Sequence, residues 1–391
     1  MAKGAYFGVN SLAKKIKKMY IGVNSTAREI KHAYIGIDNI ARDFFSSEDE
    51  NYIQVVVVQN STTSYTVHVY EYDSEFNQIS KKSLNVGNYS VCATYNRNTD
   101  EIVLVHAGSR ASSATVEYYD RETLTKQRTG TVSKISSYGY YPTRLIYHPL
   151  TNCYVMQNYR DGWNSGDHYS AVFDSNFTQL DLWGSSCVFS VNPCSANAIF
   201  CKRSSYFYLW DGTKRIQGSG SDSNGGVGAG HPFDRIALFT TIFGVSGHRT
   251  WRCHETIDGF PDLGRYSISY SDAAPFYNPD NPDERWITPV IDWSSGQPGF
   301  MILTRNFQFS RNTAPTTYSP YYVFDQMSGE CLMPRKEGGA IVTSGKTIYI
   351  LDKDGNIEAQ KDNALEYRIS EYYSKEFSTE LLPTFEPLKL Y

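Results

Sequence analysis

The chain has 391 residues, 20% of them charged, and a net charge of −4; it is long enough for two or three domains and not basic enough for general nucleic-acid binding. It has no run of about 18 apolar residues to predict a transmembrane span, and its basic N-terminus lacks the apolar stretch of a secretory signal. Seven scattered cysteines, an odd number, fit reduced thiols in a protein made in the cytoplasm, and 31 Tyr with 20 Phe favour strands over helices.

The first forty-five residues repeat one phrase three times, at a period of 14. Tyr6-Phe7-Gly8-Val9-Asn10 opens one copy, Tyr20-Ile21-Gly22-Val23-Asn24 the next and Tyr34-Ile35-Gly36-Ile37-Asp38 the third. An Ala and a base recur at one offset: Ala13-Lys14, Ala27-Arg28 and Ala41-Arg42. Fourteen residues divide into two short strands and two tight turns, so the repeat predicts a hairpin stack or β-meander; short helices over 27–33 are the alternative, weakened by a Gly in every copy. A unit this small has no room for an active site and reads as a stacking or docking element, with Tyr6, Gly8, Tyr20, Gly22, Tyr34, Gly36, Arg28 and Arg42 as its anchoring residues. Residues 1–45 hold eight Lys/Arg against Glu29, Asp38 and Asp43, a net of +5, which leaves −9 for the remainder. A basic segment on an acidic body suggests that the two parts meet different partners.

Residues 46–51, polar and acidic, read as a linker. From Tyr52 the chain alternates short strand-like runs with turns, which indicates an all-β fold. A strand ending in an aromatic or apolar residue plus Asp, then a polar turn and another strand, recurs at Tyr72-Asp73, Tyr119-Asp120, Phe173-Asp174, Trp210-Asp211, Phe324-Asp325 and Leu351-Asp352. A second phrase precedes some of these, as in Asn96 to Asp100 and His148 to Asn152. Two hairpins per unit of about 40–50 residues is the period of a β-propeller blade, in which each small sheet buries its faces against its neighbours. Residues 52–362 therefore predict a six- or seven-bladed β-propeller. Residues 228–300 fit the period worst and so hold an elaborated blade or an inserted loop, Gly218–Gly230 reads as a flexible loop, and 363–391 is either a ring-closing strand or a tail.

Catalytic signatures are weak beside this. The Gly225–Gly230 run lacks the strand–loop–helix setting and the Lys of a phosphate loop. Asp352-Lys353-Asp354-Gly355 reads as a hairpin turn and has the wrong Gly and Glu positions for a calcium loop. His248, Cys253 and His254 lack a second pair of zinc ligands. Phe243-Gly244-Val245-Ser246-Gly247 has the letters of a nucleophile elbow without its spacing. The sequence thus predicts no catalytic residue, no metal and no cofactor. The Lys14-Lys15-Ile16-Lys17-Lys18 patch is diluted in the later repeats, so nucleic acid is not an expected partner. The better lead is aromatic: Tyr138, Tyr140 and Tyr141 crowd one Gly-containing loop and Trp163 lies in a polar one, flat surfaces suited to a sugar ring or a protein. Tyr318, Tyr321 and Tyr322 form a similar group. The structural alternative is that such rings fill gaps between blades.

The N-terminal motif, with Tyr20-Ile21-Gly22-Val23-Asn24-Ser25-Thr26-Ala27-Arg28 as its fullest copy, resembles a repeat at the start of virion proteins in phages and prophages of Gram-positive bacteria. The resemblance covers about 45 of 391 residues. It implies a structural component of a phage or phage-tail-like particle, in the tail, baseplate or head, bound to other virion proteins through residues 1–45. The propeller would then face a host-surface glycan or protein, or neighbouring subunits, with no membrane insertion. A wall- or glycan-degrading hydrolase on the same scaffold and a purely architectural decoration protein are the alternatives.

Overall fold

The computed structural model describes residues 6–9, 12–15, 19–23, 26–30, 32–37, 40–46, 51–109, 111–133, 140–160, 168–185, 187–191, 199–203, 206–210, 212–217, 226–230, 236–242, 248–255, 262–269, 274–292, 298–304, 309–312, 318–319, 333–335, 337–344, 346–367 and 377–384. The chain forms two compact units, Met1–Asn51 and Tyr52–Tyr391.

In the first unit each 14-residue repeat is one antiparallel hairpin. Tyr6–Val9 pairs with Leu12–Lys15, Met19–Val23 with Thr26–Ile30, and His32–Ile37 with Ile40–Ser46. The helical alternative over 27–33 gives way to strands, as the Gly in each copy and the Tyr/Ile/Val content favour. The third hairpin runs through Ser46, the first residue of the segment read as a linker.

The second unit is a β-propeller whose described residues build seven antiparallel sheets. Blade 1 has the spatial order Phe377–Pro383, Tyr52–Ser61, Ser64–Tyr72, Gln78–Val86. Blade 2 is Ser90–Asn96, Glu101–Ala107, Ser113–Asp120 and Lys126–Ser133; blade 3 is Tyr140–His148, Cys153–Arg160, His168–Phe173 and Gln179–Ser185. Blade 4 is Cys187–Val191, Ile199–Arg203, Tyr206–Trp210 and Arg215–Gln217; blade 5 is Gly226–Gly230, Ile236–Ile242, His248–Glu255 and Asp262–Ser269. Blade 6 is Ala274–Pro275, Glu284–Asp292, Pro298–Thr304 and Phe309–Asn312; blade 7 is Met333–Pro334, Ala340–Ser344, Thr347–Leu351 and Ile357–Lys361.

One feature departs from the sequence reading. Gly226–Gly230, expected inside a flexible loop, is the first strand of blade 5 and pairs with Ile236–Ile242. In blade 6 the first-strand position is split: Ala274–Pro275 and Tyr318–Ser319 both pair with Glu284–Asp292 along the edge opposite Pro298–Thr304. At the C-terminal end, Phe377–Pro383 pairs with Tyr52–Ser61 from Phe377↔Val58 to Pro383↔Tyr52, so the last strand completes the first blade.

Period-2 alternation explains the core. In Glu101–Ala107, Ile102 and Leu104 pack with Ile53 and Val55 of blade 1, while Val103 and Val105 pack with Tyr154 and Met156 of blade 3. Buried on both faces, this strand is apolar from Ile102 to Val105, which is why it reads as a continuous run. Every residue of the first strand Ser90–Asn96 is buried, whereas the fourth strand Lys126–Ser133 is mostly exposed and polar. Further clusters join blade 3 to 4 through Trp183 and Trp210, blade 6 to 7 through Phe300 and Tyr349, and blade 7 to 1 through Ile348 and Tyr72. The contact of blade 7 with blade 1 closes the ring.

The recurrent Asp phrase has one physical cause. Asp73, Asp174 and Asp352 each accept, through Oδ1, the backbone N–H groups two and four residues on. This bends the chain so that the residue three on takes a positive φ: Phe76 at 58°, Phe177 at 61° and Gly355 at 80°. Asp120 makes the related turn with Thr123, and Leu124 sits at φ 50°. A left-handed conformation costs a non-glycine residue roughly 1–2 kcal/mol. Burying a phenyl ring returns about 2–3 kcal/mol, so burial wins. Phe76 stacks on Tyr52, with centroids 4.5 Å apart, and Phe177 stacks on Tyr154 at 4.6 Å. Each turn thus drives a plug into the seam with the preceding blade. In blade 7 that position is Gly355, and Arg311 of blade 6 instead donates to the carbonyls of Lys353 and Asp354.

Candidate interaction surfaces

The expected anchoring residues fall at equivalent places in the three hairpins. Gly8, Gly22 and Gly36 stand opposite Ala13, Ala27 and Ala41. Arg28 and Arg42 stand opposite Ile21 and Ile35, as Lys14 does opposite Phe7. Tyr6, Tyr20 and Tyr34 stand opposite Lys15, Glu29 and Asp43. Sequence identity at a period of 14 therefore becomes identity of cross-strand register. Among the described residues each hairpin pairs only within itself, so every strand keeps one unpaired edge.

Of the expected ligand-binding aromatics, Tyr140 and Tyr141 begin the first strand of blade 3, opposite Arg160 and Tyr159 at the end of its second strand. The connector 161–167 follows Arg160 directly in the chain. Tyr138 and Trp163 lie outside the described residues, as do Tyr321 and Tyr322. The structure therefore brings two of the four candidates to one strand end.

Two polar positions near this level of the second strands escaped sequence reasoning. Five residues after the start of the strand, blade 2 has His106 and blade 3 has Asn158. Asn158 is buried at 4% exposure and its Oδ1 has no hydrogen-bond partner. The His106 Nδ1 lies 2.6 Å from Asn88 Nδ2 on the connector from blade 1, and its Nε2 lies 3.6 Å from Glu117 Oε2. Glu117 in turn accepts from the Tyr119 hydroxyl at 2.6 Å and Lys126 Nζ at 2.9 Å. Burial lowers the His106 basicity and outweighs the pull of Glu117 in the other direction. Burial also works to raise the Glu117 carboxyl, but the bonds from Tyr119 and Lys126 hold it below the usual carboxylate range. This group spans three strands and one connector and braces the blade. Aligning the two second strands, Glu101–Ala107 and Cys153–Arg160, would have flagged both positions.

The opposite end of the blades is bound by charge. Arg121 donates to Asp100 at 2.7 Å and to Glu71 of blade 1 at 3.1 Å. Glu284, buried at 2% exposure, receives Arg311 on both oxygens and Asn278 at 2.7 Å. Asp352, Lys353 and Asp354 lie in the hairpin turn described above. His248, Cys253, His254 and Glu255 lie on one strand of blade 5, and Cys92 and Cys153 are free and buried. Among the described residues no group of three or more His, Cys, Asp or Glu is placed to hold a metal ion, and no helix is long and apolar enough to cross a membrane.

No family model matches the sequence, and no curated protein matches it. Solved structures are similar at low identity. The dihydro-heme d1 dehydrogenase NirN in complex with DHE is 11% identical, over 79% of this chain and 63% of that one, with a TM-score of 0.46. The Dos1 propeller is 10% identical over 81% and 80%, at 0.43. The WD40 domain of Toxoplasma gondii coronin is 10% identical over 75% and 77%, at 0.41. The chain spans 63% of NirN and 65% of TolB from Acinetobacter baumannii, the first two of these structures. At such scores the fold rests on the strand pairing within this chain.

Proposed function

We propose that this chain is a structural protein of a phage or phage-tail-like particle, held by residues 1–45 and presenting its propeller to a host surface or to neighbouring subunits. The observation that carries the reading is the triplicated hairpin with one register. A two-stranded hairpin is marginal alone in water, so three of them with open edges call for a partner that adds strands. Three equal units also multiply a weak contact into a firm one through effective concentration. The resemblance of the motif to the start of virion proteins supplies the setting. The propeller offers binding surface rather than a catalytic centre, with Tyr140 and Tyr141 at a strand end suited to a sugar or protein.

Co-sedimentation tests this. Produced in a Gram-positive host alongside phage particles, the full chain should travel with them, and a version lacking residues 1–51 should stay behind. If both versions stay behind, or both co-sediment equally, the anchoring role is lost.

A further inference from the structure

We infer that the N-terminal hairpins also pair with those of a second copy of this chain, the first hairpin of one copy against the third of the other. The position opposite the repeated tyrosine differs in charge from hairpin to hairpin. That position carries Lys15 in the first hairpin, Glu29 in the second and Asp43 in the third, in the same register each time. The first repeat holds Lys14, Lys15, Lys17 and Lys18 with no acid. The third holds Asp38 and Asp43 against Arg42 and runs straight into Glu48-Asp49-Glu50. The module is therefore basic at one end and acidic at the other, while its backbone pattern is the same throughout.

Such a segment is complementary to itself in reverse. Placing Leu12–Lys15 of one copy antiparallel to Ile40–Ser46 of another extends two hairpins into one four-stranded sheet, past the three strands needed for independent stability. Lys15 then meets Asp43 as a cross-strand pair of opposite charge, and the unpaired edges of both strands are satisfied. The two-fold operation makes the contact twice and closes the dimer, which leaves no edge to propagate a fibre from these strands. Like ends brought together would oppose the Lys cluster to itself. The charge pattern therefore selects the reversed arrangement. This pairing stands whether or not the larger assembly is a virion, and particle retention does not measure it.

Light scattering coupled to size exclusion, on the full chain, tests the inference. At low salt the wild-type chain should run at twice its 44.3 kDa mass. Lys15→Asp alone or Asp43→Lys alone should bring it to the single mass, or weaken dimerisation at least tenfold. The double exchange, Lys15→Asp with Asp43→Lys, should restore the dimer. Raising salt to about 0.5 M should weaken the wild-type dimer. An unchanged propeller melting transition in each variant separates lost pairing from lost folding, because the propeller is a separate compact unit. A wild-type chain that runs at the single mass up to about 100 µM overturns the inference, as does a single reversal that leaves the dimer intact or a double exchange that fails to restore it.

Discussion

Arg311 holds both oxygens of Glu284, donating from Nε at 2.8 Å and from Nη2 at 2.9 Å. Glu284 is the first residue of the second strand of blade 6, and its side chain is 2% exposed. Glu101 occupies the same place in blade 2 and pairs with Arg128 of the fourth strand, whose guanidinium also lies 3.7 Å from the centre of the Tyr118 ring. A bidentate pair of this kind fixes geometry as well as charge. Removing one partner strands a buried charge and costs more than the pair contributes. Arg311→Met should therefore destabilise the propeller by about 3 kcal/mol in urea unfolding. Adding Glu284→Gln to it should recover part of that loss. A double variant less stable than the single one would contradict this account.

The plugged turns make a prediction about order rather than size. Phe177→Ala removes the ring from the seam between blades 2 and 3 and keeps part of the backbone strain, for a loss of about 3–4 kcal/mol. Phe177→Gly loses the same ring but relieves the strain at φ 61°. The glycine variant should thus be the more stable of the two by about 1 kcal/mol. Urea midpoints showing alanine equal or better would mean that the left-handed turn is not strained.

The closing strand should matter far more than its length suggests. Leu381, at 2% exposure, packs with Ile341 and Ile348 of blade 7. Leu381→Asp buries an unpaired carboxylate there and should cost about 4 kcal/mol or more. Ile357→Asp changes an aliphatic side chain that is already 38% exposed, and should stay within about 0.5 kcal/mol of wild type. Calorimetry that finds the two variants alike would show that the terminal strand does not hold the ring.

Acid should weaken the propeller in two stages. His106 faces Asn88, Glu117 and Lys126; His68 faces Ser83, Lys81, Glu366, Tyr70 and Tyr367. Burial first, aided by a lysine in each case, lowers both imidazoles below the ordinary value of about 6.5. The unfolded chain then binds protons before the folded one, so stability falls as pH drops below about 6.5. The carboxyls of Asp73, Asp352, Glu117 and Glu284 are also held low, because their hydrogen bonds outweigh the opposing effect of burial. Their contribution is full above the ordinary carboxylate range near 4 and is lost as pH falls through the lowered values. Urea midpoints should be flat from pH 7 to 9, decline from about 6.5 and decline again below about 4. His106→Gln should shrink the first stage and leave the part due to His68, and a midpoint that rises on acidification would refute the sign.

What could be read from the sequence was what repeats. Tyr6, Tyr20 and Tyr34 gave away the hairpins because a fixed spacing along the chain becomes a fixed register across it. Asp73, Asp174 and Asp352 gave away the blade turns because one carboxylate oxygen must reach two backbone N–H groups at set offsets. The first strand of blade 5 was hidden by composition: Gly226–Gly230 has the letters of a loop, and pairing with Ile236–Ile242 makes it a strand. Glu284 and Arg311 stand far apart in sequence, and nothing local to either announces the other. Asn158 and His106 became visible only once two second strands could be laid side by side. The role of 363–391 stayed open in the sequence because an aromatic, acidic terminal segment reads equally as strand or tail.

The first blade borrows its innermost strand from the far end of the chain, and this sets the timetable of synthesis. Tyr52–Val86 is translated long before Phe377–Pro383, the partner for one whole edge of that sheet. Until then, Tyr52–Ser61 stays a half-built surface that other chains can capture. Blades 2 to 4 can assemble as they emerge, but circular closure waits for Phe377–Pro383. A stalled or nicked message therefore yields an open arc, not a smaller ring, and quality control has one late event to inspect.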